Sequence, residues 1–155
     1  MRRLLLGLAS IAILLAAAAV AGVAAAGAAT DLCVAANGGV RVQKGDASCQ
    51  ASGTGSVAIA KGAIARATAT GGDHNKARAF GDGSTARADG GDNNTATASG
   101  TNSLAAARIG DNNTATASGF QSTAFAGLGD NNTAIARSDH CDATATGGNA
   151  SDSCY

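Results

Sequence analysis

Asp73, Asp92, Asp111 and Asp130 recur every nineteen residues, and Asn75, Asn94, Asn113 and Asn132 follow two places behind them. If successive repeats stack, the acidic residues become a ladder of like charges that water must screen or a cation must bridge. A hard cation such as calcium takes oxygen ligands of this kind, so the four carboxylates are candidate metal ligands, weighed against ordinary solvated turn residues. The Asn series reads differently, because stacked amides can hydrogen-bond from one repeat to the next. Thr95, Thr97, Thr114, Thr116 and Thr133 form a second constellation, a T-x-T array able to order water or bind ice. Ile135 interrupts one of its columns, Lys76 and Arg78 flank it, and Thr also simply suits exposed strands. Acid–base catalysis at neutral pH has only His74 and His140 to draw on, Glu is absent, and no nucleophile elbow of the G-x-S-x-G type occurs. No enzymatic activity and no cofactor are expected.

The elements that must hold these residues follow from the repeat itself. G-D-N-N-T-A begins at Gly91, Gly110 and Gly129, and the same frame steps back to Gly72 and Gly53. A second series opens at Gly62, Gly81, Gly100, Gly119 and Ser138. Five and seven places after each start the residue is Ala without exception, from Ala58 and Ala60 to Ala143 and Ala145. The residues four and six places on vary freely. Variable positions alternating with invariant small ones give the period of two that marks a strand with one buried face. Each half-repeat is then a short strand followed by a turn rich in Gly, Asp and Asn. The expected fold is all-β: a parallel β-solenoid or β-roll of about five 19-residue coils, with two strands per coil and an Ala-only interior. Facing sheets filled only by methyl groups must approach more closely than the usual ~10 Å.

Composition agrees with this reading. The chain has 155 residues, 22 Gly and no Pro or Trp, so neither collagen nor a core of large side chains is open to it. Residues 1–28 read as a secretory signal peptide, with Arg2 and Arg3 before an apolar run and cleavage after Ala28; a retained membrane anchor is the alternative. Without those two arginines nine basic residues face eleven acidic ones, a net charge of −2 that gives no footprint for nucleic acid. Four Cys in an exported chain suggest disulfides, and of three possible connectivities the local pairs Cys33–Cys49 and Cys141–Cys154 are favoured. Residues 29–52 then form an N-terminal cap, 53–147 the solenoid, and 138–155 a C-terminal cap that overlaps the last coil.

Residues 52–67, S-G-T-G-S-V-A-I-A-K-G-A-I-A-R-A, resemble the head repeats of trimeric autotransporter adhesins, and Gly100 to Ala107 are similar. The resemblance implies a left-handed parallel β-roll that trimerises and binds host matrix. The coil here is longer than is usual in that family, and neither a heptad stalk nor a membrane-anchor barrel is expected. Val57 and Ile59, beside the N-terminal cap, open one candidate binding face that continues through the Thr pairs to Thr133 and Ile135. The expected role is that of a secreted, non-catalytic structural or binding protein at the bacterial cell surface or outside it. Its partner would be a protein or envelope surface, with homo-oligomerisation open. Calcium binding through the Asp ladder, or water and ice ordering through the Thr ladder, is the alternative.

Overall fold

The computed structural model describes residues 31–155, and the signal-peptide reading of residues 1–28 lies outside them. Among the described residues every regular element is a strand. They are β1 (Leu32–Ala36), β2 (Gly39–Lys44), β3 (Ser48–Ala51), β4 (Val57–Lys61), β5 (Arg66–Thr70), β6 (Lys76–Phe80) and β7 (Thr85–Asp89). The chain continues through β8 (Thr95–Ala98), β9 (Leu104–Arg108), β10 (Thr114–Ala117), β11 (Thr123–Gly127), β12 (Thr133–Ala136), β13 (Asp142–Thr146) and β14 (Ser151–Cys154). One sheet runs β14-β12-β10-β8-β6-β4-β1-β2 and the other β13-β11-β9-β7-β5-β3. From β4 onward strands alternate between the two sheets and pair in parallel with the strand one coil away. This is a β-solenoid of about six turns.

The sixth turn comes from the segments that flank the repeat. β1 and β3 supply the first layer and β14 the last, although none of the three carries the nineteen-residue motif. β1 runs antiparallel to both β4 and β2. That reversal removes the repeating register at the N-terminal end, and a bulge between Val34 and Ala35 distorts the outermost pair further. An irregular edge of this kind discourages another strand from adding on. At the opposite end Asp152 takes the inward position that Ala134 holds one strand earlier. Its carboxylate accepts the backbone N–H of Thr144 at 2.6 Å, covering part of the free edge of β13.

Inside, the Ala columns are closed to solvent from Ala58 to Ala143, and in-register pairing stacks like on like: Ala77 on Ala96, Ala96 on Ala115. Methyl groups fill the space between facing strands, and polar side chains are enclosed only at the turns. At the two ends disulfides join the sheets, with Cα atoms 5.5 Å and 6.1 Å apart. Close stacking also explains the Gly at the first position of the half-repeat. A Cβ on Gly91 would overlap the Gly110 carbonyl of the next coil.

Two polar columns line the turns, and both are buried. Asn75, Asn94, Asn113 and Asn132 are fully enclosed. Each amide oxygen accepts a backbone N–H from the coil ahead, Asn75 from Asn94 at 2.9 Å, Asn94 from Asn113 at 3.0 Å and Asn113 from Asn132 at 2.9 Å. Ser56 starts the series by accepting the N–H of Asn75 at 3.2 Å. Amide thus bonds to backbone, not to amide. Satisfying buried N–H groups in this way matters because an orphaned one costs about 1–3 kcal/mol. Ser84, Ser103 and Ser122 line the other turn, and each hydroxyl donates to the carbonyl three residues back.

Candidate functional site

The cysteines are placed first by the sheets they belong to. Cys33 lies in β1 of the eight-stranded sheet and Cys49 in β3 of the six-stranded one, and they are disulfide-bonded. Cys154 in β14 is bonded to Cys141, which precedes β13 in the opposite sheet. Each bridge therefore clamps the two sheets together at one end of the stack. No free thiol is left among the described residues.

The carboxylates of the Asp ladder sit on exposed turns, and each is held by backbone. Asp92 Oδ1 accepts the N–H of Asp73 at 2.7 Å, Asp111 that of Asp92 at 2.7 Å, and Asp130 that of Asp111 at 2.8 Å. Asp73 takes the N–H of Thr54 at 2.7 Å. Repulsion between neighbours is offset by these charge-assisted bonds, each stronger than a neutral pair. Asp82 and Asp139 repeat the device on the opposite turn, with the N–H of Ala63 and of Phe120. One oxygen of each carboxylate is thereby committed to the fold. Among the described residues no group of three or more His, Cys, Asp or Glu is arranged to hold a metal ion.

The Thr residues come together as flat columns on the outer face of the eight-stranded sheet. Thr95 stacks on Thr114 and Thr133, and Thr97 stacks on Thr116, with Ile135 ending the second column. Lys76 and Arg78 border them on β6. Val57 and Ile59 lie on the same face but beyond those cations, on β4. The structure therefore divides the candidate face into a Thr patch and an apolar patch.

The apolar part extends through residues that the repeat does not reveal. Val34 pairs with both Ile59 and Val42, Ala36 with Val57, and Leu32 with Lys61 and Lys44. Residues directly opposite on paired strands share a face. Leu32, Val34, Val42, Val57 and Ile59 thus form one continuous outer surface over β2, β1 and β4. Elsewhere Leu104 and Phe125 are diagonal neighbours on the outer face of the opposite sheet, Ile109 and Leu128 share one turn column, Ile64 stands on a turn, and Phe120 lies edge-on to His140 with ring centroids 5.6 Å apart. His74 and His140 both occupy left-handed turn positions on opposite turns, where other coils place Asn93 and Asn102. They are not brought together.

No protein-family model, curated protein or solved structure matches the chain. The β-solenoid therefore stands on the structure alone.

Proposed function

We propose that this chain is an exported, non-catalytic scaffold whose outer sheet faces do its work. The observation that carries the reading is the pair of disulfides, one at each end of the stack and each joining the two sheets. Such bridges persist in oxidising compartments and suit a rod that must survive outside the cell. An interior of Ala columns leaves no room for a substrate, so recognition falls to the outer surfaces. The apolar N-terminal face around Val57 and Ile59 is the binding surface in this reading, and the short likeness to adhesin head repeats supports the same extracellular setting. Fractionating cells that produce the natural chain tests the proposal. It is expected outside the cytoplasm with all four cysteines oxidised, whereas a cytoplasmic, reduced chain overturns it.

A second reading rests on the Thr columns, because parallel register places Thr95, Thr97, Thr114, Thr116 and Thr133 on one flat surface. Such a surface orders water. Measuring thermal hysteresis and ice-crystal shaping tests it, and unaltered crystal growth disposes of it.

A further inference from the structure

We infer that the N-terminal third of the eight-stranded sheet is a docking face for an anionic lipid surface. The inference rests on the reading of the outer faces as the working surface, and it names the partner for one of them. The centre of the patch is apolar, with Leu32, Val34, Val57 and Ile59 half-buried and Val42 46% exposed. Its border is cationic. Lys44 lies beside Leu32 on β2, Lys61 ends β4, and Lys76 and Arg78 stand beside Val57 and Ile59 on β6. No carboxylate side chain occurs on the outer faces of β2, β1, β4 and β6; the nearest in sequence, Asp31, Asp46, Asp73 and Asp82, lie outside the strands.

This combination selects among occupants. A second copy docked face to face by a two-fold axis would set the same four cations against themselves, with no acid to answer them. Of the acids in the strands elsewhere, Asp89 is already paired with Arg87 and Arg108, Asp152 is turned onto the backbone of β13, and Asp142 stands alone against four cations. An anionic bilayer surface supplies both requirements at once, negative headgroups for the border and an acyl boundary for the centre.

Cosedimentation of the oxidised protein with lipid vesicles tests the inference. The probes are vesicles of pure phosphatidylcholine and of an equimolar mixture with phosphatidylglycerol. Binding is expected to the mixed vesicles only and should fall as salt is raised. Lys76→Glu should weaken it roughly twenty- to thirtyfold, since each basic residue near such a surface contributes about fivefold and reversal acts twice. Ile59→Thr should weaken it as well. Arg66→Glu, on the opposite sheet, makes the same charge change and should leave binding intact. A thermal melt of each variant confirms that the fold is retained. Equal binding to both vesicle types, no binding, or equal losses in Lys76→Glu and Arg66→Glu would each overturn the inference. So would concentration-dependent dimerisation abolished by Ile59→Thr, which would give the patch to a second copy. None of these results bears on whether the chain is exported and oxidised, so the scaffold reading would stand or fall separately.

Discussion

The amide oxygen of Asn113 accepts the backbone N–H of Asn132 at 2.9 Å, while the oxygen of Asn132 takes two N–H groups, from Gly148 and Ala150. The same side-chain type therefore does different amounts of work along one column. Asn132 also donates to the carbonyls of Gly127 and Gly129, whereas the Nδ2 of Asn94 is buried without a partner. Replacing Asn132 by Ala should cost more stability than replacing Asn94, by about 1–2 kcal/mol. Denaturant unfolding of the two variants measures the difference, and equal losses would mean that the amide donors contribute nothing.

Interior volume gives a second expectation. Ala115 is fully enclosed, and Thr116, its neighbour in sequence, points outward. Ala115→Leu should destabilise by about 3 kcal/mol or more, since overpacking costs about 1–3 kcal/mol even where the backbone can yield. Thr116→Leu should stay within about 0.5 kcal/mol of the parent. A comparison of melting temperatures decides.

The disulfides should act locally. Cys33 and Cys49 are separated by 16 residues and Cys141 and Cys154 by 13, so each bridge stabilises by roughly 3 kcal/mol in the chain-entropy model. Cys33→Ala with Cys49→Ala should raise amide exchange in β1 and β3 while β10 and β11 remain protected, because coils contact only their neighbours. Exchange that rises uniformly along the stack would show one cooperative unit instead.

The Asp ladder separates two roles by a single atom. Asp111→Asn keeps the oxygen that accepts the N–H of Asp92 but removes the charge, whereas Asp111→Ala removes both. If the ladder serves the fold, Asn should be nearly neutral and Ala should cost about 0.5–1.5 kcal/mol. Calcium should not raise the melting temperature of either variant or of the parent; a rise that Asp111→Asn abolishes would make the column an ion site.

Ile64 stands in a left-handed turn conformation, φ 53°, and is 63% exposed. The coils above it place Gly83, Asn102, Gln121 and His140 at the equivalent position. A β-branched residue is disfavoured there, and Asn adopts this conformation readily. Ile64→Asn should therefore stabilise by about 1 kcal/mol, read as a higher denaturant midpoint with an unchanged slope.

How much of this was legible before the structure depended on the repeat. Invariant Ala at two positions of every half-coil translates directly into buried columns, because parallel in-register pairing turns a sequence interval into a spatial neighbour. The Asn column follows for the same reason, but its partner does not: whether an amide bonds to another amide or to backbone depends on turn geometry that spacing cannot reveal. The Ser84, Ser103 and Ser122 column had a signal, since the third position after each second-series start reads Ala, Ser, Ser, Ser, Cys. The caps had none. Val34 and Val42 complete the apolar patch from strands that share no motif with β4, and their antiparallel pairing breaks the rule that made the coils readable.

The two turn ladders point in opposite senses, Asn reaching forward to the coil ahead and Asp reaching back to the coil behind. Each interior junction from Asn75 to Asn132 therefore repeats the same reciprocal pair of bonds, whatever its place in the stack. A gene encoding such a protein can lengthen or shorten it by whole nineteen-residue units, since excising residues 91–109 would bring matched surfaces into contact, while a change of any other length would misalign every ladder beyond it. Reach can thus be tuned by recombination without redesigning either end, and the two ends alone keep the rod finite.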